Sequence, residues 1–464
     1  MRRSKKLSRR ELLSRTIATS IACSISGPSK AFAQPPGAYE GKCVVSLMLD
    51  GGADPTQFCD PKTNTPGERK INNWADNDEP RQIGNITFAP IADNEWLLSR
   101  FGADMLVING VDYGTNSHTT GKMYAKTGSN AEGKPSVTAL HAANTTPDLP
   151  LAFSLFSGVA RTSGLIQHNQ FSNLKKLRAL ARPQYRDSMY ISNADLNALK
   201  RSQDELDTVA SLSQLTAEWR GRSLSTARQH AAFTRYESSK QGAELLGSIA
   251  EILPPDGDIV SEEQFSVLLP GGPRKLYSDA KKQMQGALLV LKSGLGSAVD
   301  ISLDGFDTHE GHDAQHEVLY THLADALDFF WNYAEELGIA DRILLVIGSD
   351  FGRTNFYNDG EGKDHWPVGS SIIMERNAPW GNRVVGLTDE LHFAKRINPT
   401  TLREDSSGII ITPAHVHKAL QNYLGLDTFA EDMGLDLKGV ETLPLFDSSL
   451  QSVGGLSPYA RGIW

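Results

Sequence analysis

Three short apolar runs in this chain break off at an acid. Leu47-Met48-Leu49 runs into Asp50-Gly51-Gly52, Ile301-Ser302-Leu303 into Asp304 and Asp307, and Leu345-Val346-Ile347-Gly348-Ser349 into Asp350. They belong to four segments, 43–49, 105–109, 298–303 and 342–348, rich in Val, Ile and Leu and without apolar–polar alternation. That pattern is expected of parallel strands covered on both faces. Helical patterns lie between them. In 314–337 the residues Leu319, Leu323, Leu327, Phe330 and Leu337 recur at spacings of three, four or seven, and 278–292 is a second such stretch. Strands alternating with helices predict an α/β fold, a doubly wound, mostly parallel sheet sandwiched by helices. The C-termini of parallel strands share one edge, where ligands bind. Taken singly, an Asp or Gly after a strand is an ordinary turn residue. Taken together, three carboxylates on one edge call for a cation among them.

Histidines fall beside the same acids. Asp307-Thr308-His309-Glu310-Gly311-His312 places an acid and two imidazoles on one loop, and Asp364-His365 follows Asp350 after the glycine-rich stretch 358–362. Asp50, Asp307, His309, Asp350 and His365 are therefore candidate metal ligands. Mixed Asp/His ligation suits zinc or manganese better than magnesium. One or two divalent ions are expected, since a pair can clamp an in-line displacement. After 105–109 the chain reaches Asn116-Ser117-His118-Thr119-Thr120-Gly121-Lys122, which puts hydroxyls, an imidazole and an ammonium at the start of a helix. A helix N-terminus stabilises an anion; Ser117 or Thr119 serves equally well as an N-cap. His316 and His322 read as surface or capping residues of the following helix, and His415 and His417 as residues at a helix start that could reach the site.

The stretch 171–247 is rich in Leu, Ala, Arg, Gln and Ser and reads as a helical insertion; 253–272 reads as its return loop and 434–464 as an irregular tail packed on the body. Residues 1–33 carry eight Lys/Arg and one Glu, so +7 of the chain's −9 lies there and the remainder carries −16. So acidic a body is not built to coat nucleic acid and suits a small substrate. The basic start leads into a run, 16–25, too short and too rich in Ser/Thr to span a bilayer, and then into Ala31-Phe32-Ala33, a small-residue cleavage site. Ser8-Arg9-Arg10-Glu11-Leu12-Leu13 resembles the twin-arginine signal of bacterial export. The twin-arginine translocase is thus the expected partner during export, Gln34 the expected mature start, 34–464 one α/β domain without a transmembrane span, and the destination periplasmic or secreted. Of the three cysteines, Cys43 and Cys59 remain after cleavage, as a bridge or as two buried thiols.

Three segments resemble the alkaline phosphatase-like superfamily, which includes sulfatases, nucleotide pyrophosphatases and cofactor-independent phosphoglycerate mutases. Leu49-Asp50-Gly51-Gly52 is similar to its first metal-aspartate loop, 116–128 to its nucleophile helix, and Ser349-Asp350-Phe351-Gly352 to its Ser-Asp-His-Gly motif. Over about 42–426 the chain is identified as a member of the bacterial domain-of-unknown-function family 1501. The segments that carry this are Asp304-Gly305-Phe306-Asp307-Thr308-His309, Ser349-Asp350-Phe351-Gly352-Arg353-Thr354, Asp364-His365 and Asp60-Pro61-Lys62. The resemblance implies an exported metal-dependent hydrolase of phosphate or sulfate esters, acting on a small-molecule or glycan ester. Ser117 or Thr119 would attack, and Lys122 and Arg353 would neutralise the transferring oxyanion. Phe351 stands where the superfamily carries a metal-binding His, and His118 stands nine before Thr127, the nucleophile's place. Asp304 to His309 and Asp307 to His312 are each five apart where the superfamily has four. One imidazole lost and one gained implies a ligand moved to His118. The competing reading is a non-catalytic metal- or ligand-binding protein with a degenerate site of this kind.

Overall fold

The strand whose end carries Asp50 has only Ser46 and Asp50 less than fully buried, so both its faces are covered. A computed structural model describes residues 38–185, 199–222, 245–269, 271–450 and 452, and also 226, 229, 233 and 242. The expected signal segment, 1–33, and its cleavage site lie outside the described residues. In chain order the main strands are β1 (Cys43–Asp50), β2 (Met105–Asp112), β3 (Phe153–Leu155), β4 (Asn169–Gln170), β5 (Ala298–Asp304), β6 (Ile343–Ser349), β7 (Val368–Met374) and β8 (Arg383–Val385). They form one eight-stranded sheet in the order β8-β2-β7-β6-β1-β5-β3-β4. Only β7 runs against its neighbours β6 and β2; every other pairing is parallel.

The helices are α1 (Asn94–Phe101), α2 (His118–Thr127), α3 (Val137–Thr145), α4 (Leu174–Ala181), α5 (Gln203–Arg222), α6 (Ala280–Lys292), α7 (His312–Glu336), α8 (Pro413–Tyr423) and α9 (Asp427–Asp432). One face of the sheet packs Val45, Leu47, Ile301 and Leu303 against α6 and α7 residues such as Leu288, Leu323, Leu327 and Phe330. The other packs Leu106, Ile108, Leu344 and Ile373 against Leu140, Val416 and Leu420 of α3 and α8. Each such Leu contributes about 1.5–3 kcal/mol by leaving water. This is the doubly wound sandwich expected from the sequence.

Several expectations need correction. The stretch 253–272 is not simply a return loop: Glu263–Leu269 pairs antiparallel with Gly272–Ser278 as a hairpin. Within 171–247 the described residues are helical as α4 and α5, while 186–198 and most of 223–244 lie outside the described residues. His316 and His322 are buried rather than on the surface. Cys43 and Cys59 are free buried thiols, pushed up to about 11 and about 12 by that burial. Among the described residues no helix is long and apolar enough to cross a membrane.

Candidate metal centre

Parallel pairing brings the acids to one edge. Asp50 stands opposite Asp304, and Leu49 opposite Ser349, which precedes Asp350. The turn after β1 is tight. Gly51 has φ +117°, and a Cβ there would lie 2.5 Å from the Asp307 backbone nitrogen. Asp307 can approach Asp50-Gly51 only because that side chain is absent.

The edge is not bare of cations. Lys122 Nζ, one turn into α2, lies 2.5 Å from Asp50 Oδ1. Partial burial opposes its charge, but Asp50, Asp350 and Asp304 together raise its pKa. Asp304 is raised by its own burial and then by Asp50 and Asp279. Asp50, expected as a metal ligand, is thus held by an ammonium. Arg353 was expected to face an oxyanion. It is instead fully buried, and its guanidinium donates to the carbonyls of Gly51, Gly52 and Lys363 and to Asp307 Oδ1 at 2.7 Å. Burial pushes the Asp307 carboxyl up, but Arg353, His118 and His309 outweigh it and bring it to about 2.

Asp350 also departs from the expected role. It is fully buried. Its Oδ1 accepts from the Gly51 N–H and the Ser349 hydroxyl, each at 3.1 Å, and its Oδ2 meets His118 Nδ1 at 2.5 Å. Both oxygens are occupied, so Asp350 orients His118. Their hydrogen bond raises the His118 pKa, because a carboxylate favours the imidazolium.

Three imidazoles then converge with their tautomers fixed from behind. His118 Nδ1 donates to Asp350; His309 Nδ1 donates to Asp364 Oδ1 at 2.7 Å; His365 Nδ1 donates to the Asn116 carbonyl at 2.8 Å. Carboxylates and carbonyls only accept, so in each neutral ring Nε2 keeps its lone pair. The Nε2 atoms of His118 and His309 each face that of His365, at 3.1 Å and 3.0 Å. Asp307 Oδ1 lies among them, 3.5 Å from His118, 3.0 Å from His309 and 3.3 Å from His365. Four electron pairs this close repel unless a cation lies between them. Tetrahedral zinc, with bonds of about 2.0–2.1 Å, sets its ligands about 3.3–3.4 Å apart, so His118, Asp307 and His365, whose ligand atoms lie within 4.8 Å of one another, fit such an ion, and His309 stands beside them. Phe351 packs beneath His118 and His365, with ring centroids 4.7 and 4.6 Å away.

The sequence named Asp350 and Asp364 but not that they orient this set. Asp364 fixes His309, and its adjacency to His365 was the signal. Behind the loop lies a second buried group, Asp54, His312, His316 and Lys363. Lys363 Nζ donates to Asp54 Oδ2 at 2.6 Å, and His312 Nε2 meets the same oxygen at 3.0 Å. Thr308 Oγ1 links the Nδ1 atoms of His312 and His316, and the Asp54 N–H donates to His316 Nε2. Burial lowers both histidine pKa values, so the chain of bonds closes with neutral rings. His415 and His417 do not reach the centre: His415 caps α8 through Thr412, and His417 donates to the Ala125 carbonyl of α2. Ser117 is the N-cap residue of α2 without a side-chain cap bond, and both it and Thr119 are exposed.

A mostly parallel α/β sandwich with a histidine–carboxylate cluster on the C-terminal edge of its sheet defines the class. The chain belongs to the family described as protein of unknown function DUF1501, whose profile matches residues 41–432. No curated protein sequence matches this one. Among solved structures it is similar to the PsFucS1 sulfatase from Pseudoalteromonas sp., with 9% identity, TM-score 0.38, and 89% of this chain and 74% of that one covered. It is also similar to the phosphonate monoester hydrolase of Agrobacterium radiobacter, with 12% identity, TM-score 0.29, and 86% and 78% covered. Neither likeness carries the functional reading, which rests on the side chains.

Proposed function

We propose that this protein is an exported, metal-dependent hydrolase of phosphate or sulfate esters. The observation that carries this is the convergence of three lone-pair Nε2 atoms on Asp307 Oδ1 beside the N-terminus of α2. His118, Asp307 and His365 would hold a divalent ion, zinc or manganese by the donor set, with His309 beside them. Bound there, it would supply charge neutralisation and polarisation of an ester oxygen. Asp350, Asp364 and the Asn116 carbonyl keep the three imidazoles in the ligating tautomer. Arg353 fixes the Asp307 carboxylate and holds it ionised. Asp307 and His309 are exposed, so the centre is open to a substrate. The N–H groups at the start of α2 favour an anionic ester, and Lys122, paired with Asp50, stands beside them. Ser117 and Thr119 present hydroxyls at that same helix end.

The alternative, a metal- or ligand-binding protein without turnover, draws on one observation: the Arg353 guanidinium is spent on backbone carbonyls and Asp307. Assay of the metal-loaded protein on generic phosphate and sulfate esters separates the two. Turnover that falls at least tenfold in Ser117→Ala or Thr119→Ala, with metal content unchanged, supports hydrolysis. Normal metal content without turnover of any ester supports the binding reading.

Export through the twin-arginine translocase, with cleavage after Ala33, rests on Arg9-Arg10 and Ala31-Phe32-Ala33. Replacing both arginines with lysine should trap the precursor in the cytoplasm; normal export of that variant would refute the twin-arginine route.

A further inference from the structure

Away from the histidine centre, the hairpin of Glu263–Leu269 and Gly272–Ser278 lies against α7. It buries little of itself. Val267, Leu269 and Ser278 are inside, whereas Leu268 is 75% and Tyr277 56% exposed. A two-stranded hairpin with so thin an apolar face is marginal without a further tie.

The tie is visible in the side chains. Glu263 pairs across the hairpin with Ser278, and the Ser278 hydroxyl lies 2.7 Å from His322 Nε2 on α7. Phe265 packs on the same imidazole, with ring centroids 4.4 Å apart. These contacts turn His322 Nδ1 toward Glu263 Oε2, 3.5 Å away. Both atoms are buried and neither has a hydrogen-bond partner, although the His322 side chain is only 1% exposed. If Nε2–H donates to Ser278, a lone pair faces a carboxylate. If the serine hydroxyl donates instead, the Nδ1–H falls short of Oε2 by more than a hydrogen bond allows. Neither tautomer satisfies the pair, and an unsatisfied buried pair is costly. Asp325, one turn along α7, completes a set of three ligand atoms within 4.8 Å of one another. Lys281 Nζ already contacts the outer oxygens, Glu263 Oε1 at 3.0 Å and Asp325 Oδ2. The set opens on a cleft of about 770 Å³ whose wall includes Trp96, Phe265, Glu317 and Thr321, so an ion has a way in.

We propose that Glu263, His322 and Asp325 form a second divalent-metal site, suited to zinc, that clips the hairpin to α7. The ion bridges Glu263 Oε2 and His322 Nδ1, whose 3.5 Å separation matches two ligands of one zinc at about 2.0–2.2 Å each. Lys281 is its competitor and swings out when the metal enters. The site shares no residue with the His118 centre and stands or falls independently of it.

The test is zinc bound per full-length chain after equilibrium dialysis, together with the zinc dependence of the melting temperature. Glu263→Gln, which keeps shape, and His322→Ala should each bind one zinc fewer than the unaltered protein. Lys281→Met removes the competing ammonium and should tighten that zinc at least tenfold. His365→Ala serves as the control: it should spare the zinc lost in Glu263→Gln. Should Glu263→Gln and His322→Ala, or whichever of them folds, bind as much zinc as the unaltered chain, the site does not exist. Weaker zinc binding in Lys281→Met would overturn it equally, by showing that the lysine supports the cluster rather than competing for it.

Discussion

At the scale of single residues, the centre depends on what stands behind each imidazole. Asp350 and Asp364 touch no metal in this account, yet they fix which nitrogen of His118 and His309 carries the proton. Asp350→Ala or Asp364→Ala should therefore lower zinc affinity by about 10–100-fold, as loss of such orienting partners does. Titration against a chelator reads this directly, and unchanged affinity in both variants would remove their orienting role. Lys363 is a different case, because it neutralises Asp54 where both are fully buried. Burial opposes the Asp54 charge, but Coulombic attraction from Lys363 and the hydrogen bond from His312 overcome that penalty and hold the carboxyl well below its usual range. Lys363→Met should cost about 3–5 kcal/mol of stability in denaturant unfolding; a loss under 1 kcal/mol would show that Asp54 finds another cation. The sequence already displayed His309, His365 and Asp307 as a group, because acid and imidazole lie close along the chain. It did not display that Asp350 is saturated by Gly51, Ser349 and His118, or that Arg353 turns inward. Those facts turn on partners distant in sequence: Gly51 is 299 residues from Asp350 and 302 from Arg353, and His118 is 232 from Asp350.

At the scale of elements, α2 is the part that brings His118 in. Gly121 lets it do so, since a Cβ there would lie 2.2 Å from the Asp350 carbonyl oxygen. Gly121→Ala must push the helix away from β6 and carry His118 off Asp350. We expect at least a tenfold loss of metal affinity with unchanged far-ultraviolet circular dichroism; retained affinity would mean that α2 is not held that closely. The strands β1, β5 and β6 were legible as unbroken apolar runs covered on both faces, and the helices α6 and α7 by apolar residues at helical spacing. The 263–278 hairpin was not. Its first strand alternates, with Phe265, Val267 and Leu269 on the inner side, but the Pro and Gly residues around it read as loop and most of the second strand is exposed. His316 and His322 were misread for a related reason: helical spacing places them on α7 but does not show that Asp54 or Glu263 covers them.

At the scale of the whole molecule, burial sets the response to acid. His141, His392 and His417 lie inside the protein, and burial lowers each to about 4 from 6.5. The unfolded chain takes up these protons below pH 6.5 and the folded one does not. Their stabilisation is therefore full above that pH and is lost as pH falls from 6.5 toward 4, at about 1.4 kcal/mol per pH unit for each group. Urea midpoints should decline steeply across this window. A flat profile between pH 6.5 and 4 would show that these rings are charged in the fold. The same sheet architecture presents the histidine–carboxylate cluster on its C-terminal edge, where strands from distant parts of the chain end together. The central claim is that His118, Asp307 and His365 hold one divalent ion beside His309, and anomalous scattering at the zinc edge from crystals grown with zinc tests it most directly. A peak is expected about 2.0–2.2 Å from His118 Nε2, Asp307 Oδ1 and His365 Nε2. A map with no peak among those three atoms, from crystals in which zinc is bound elsewhere or not at all, would contradict the claim.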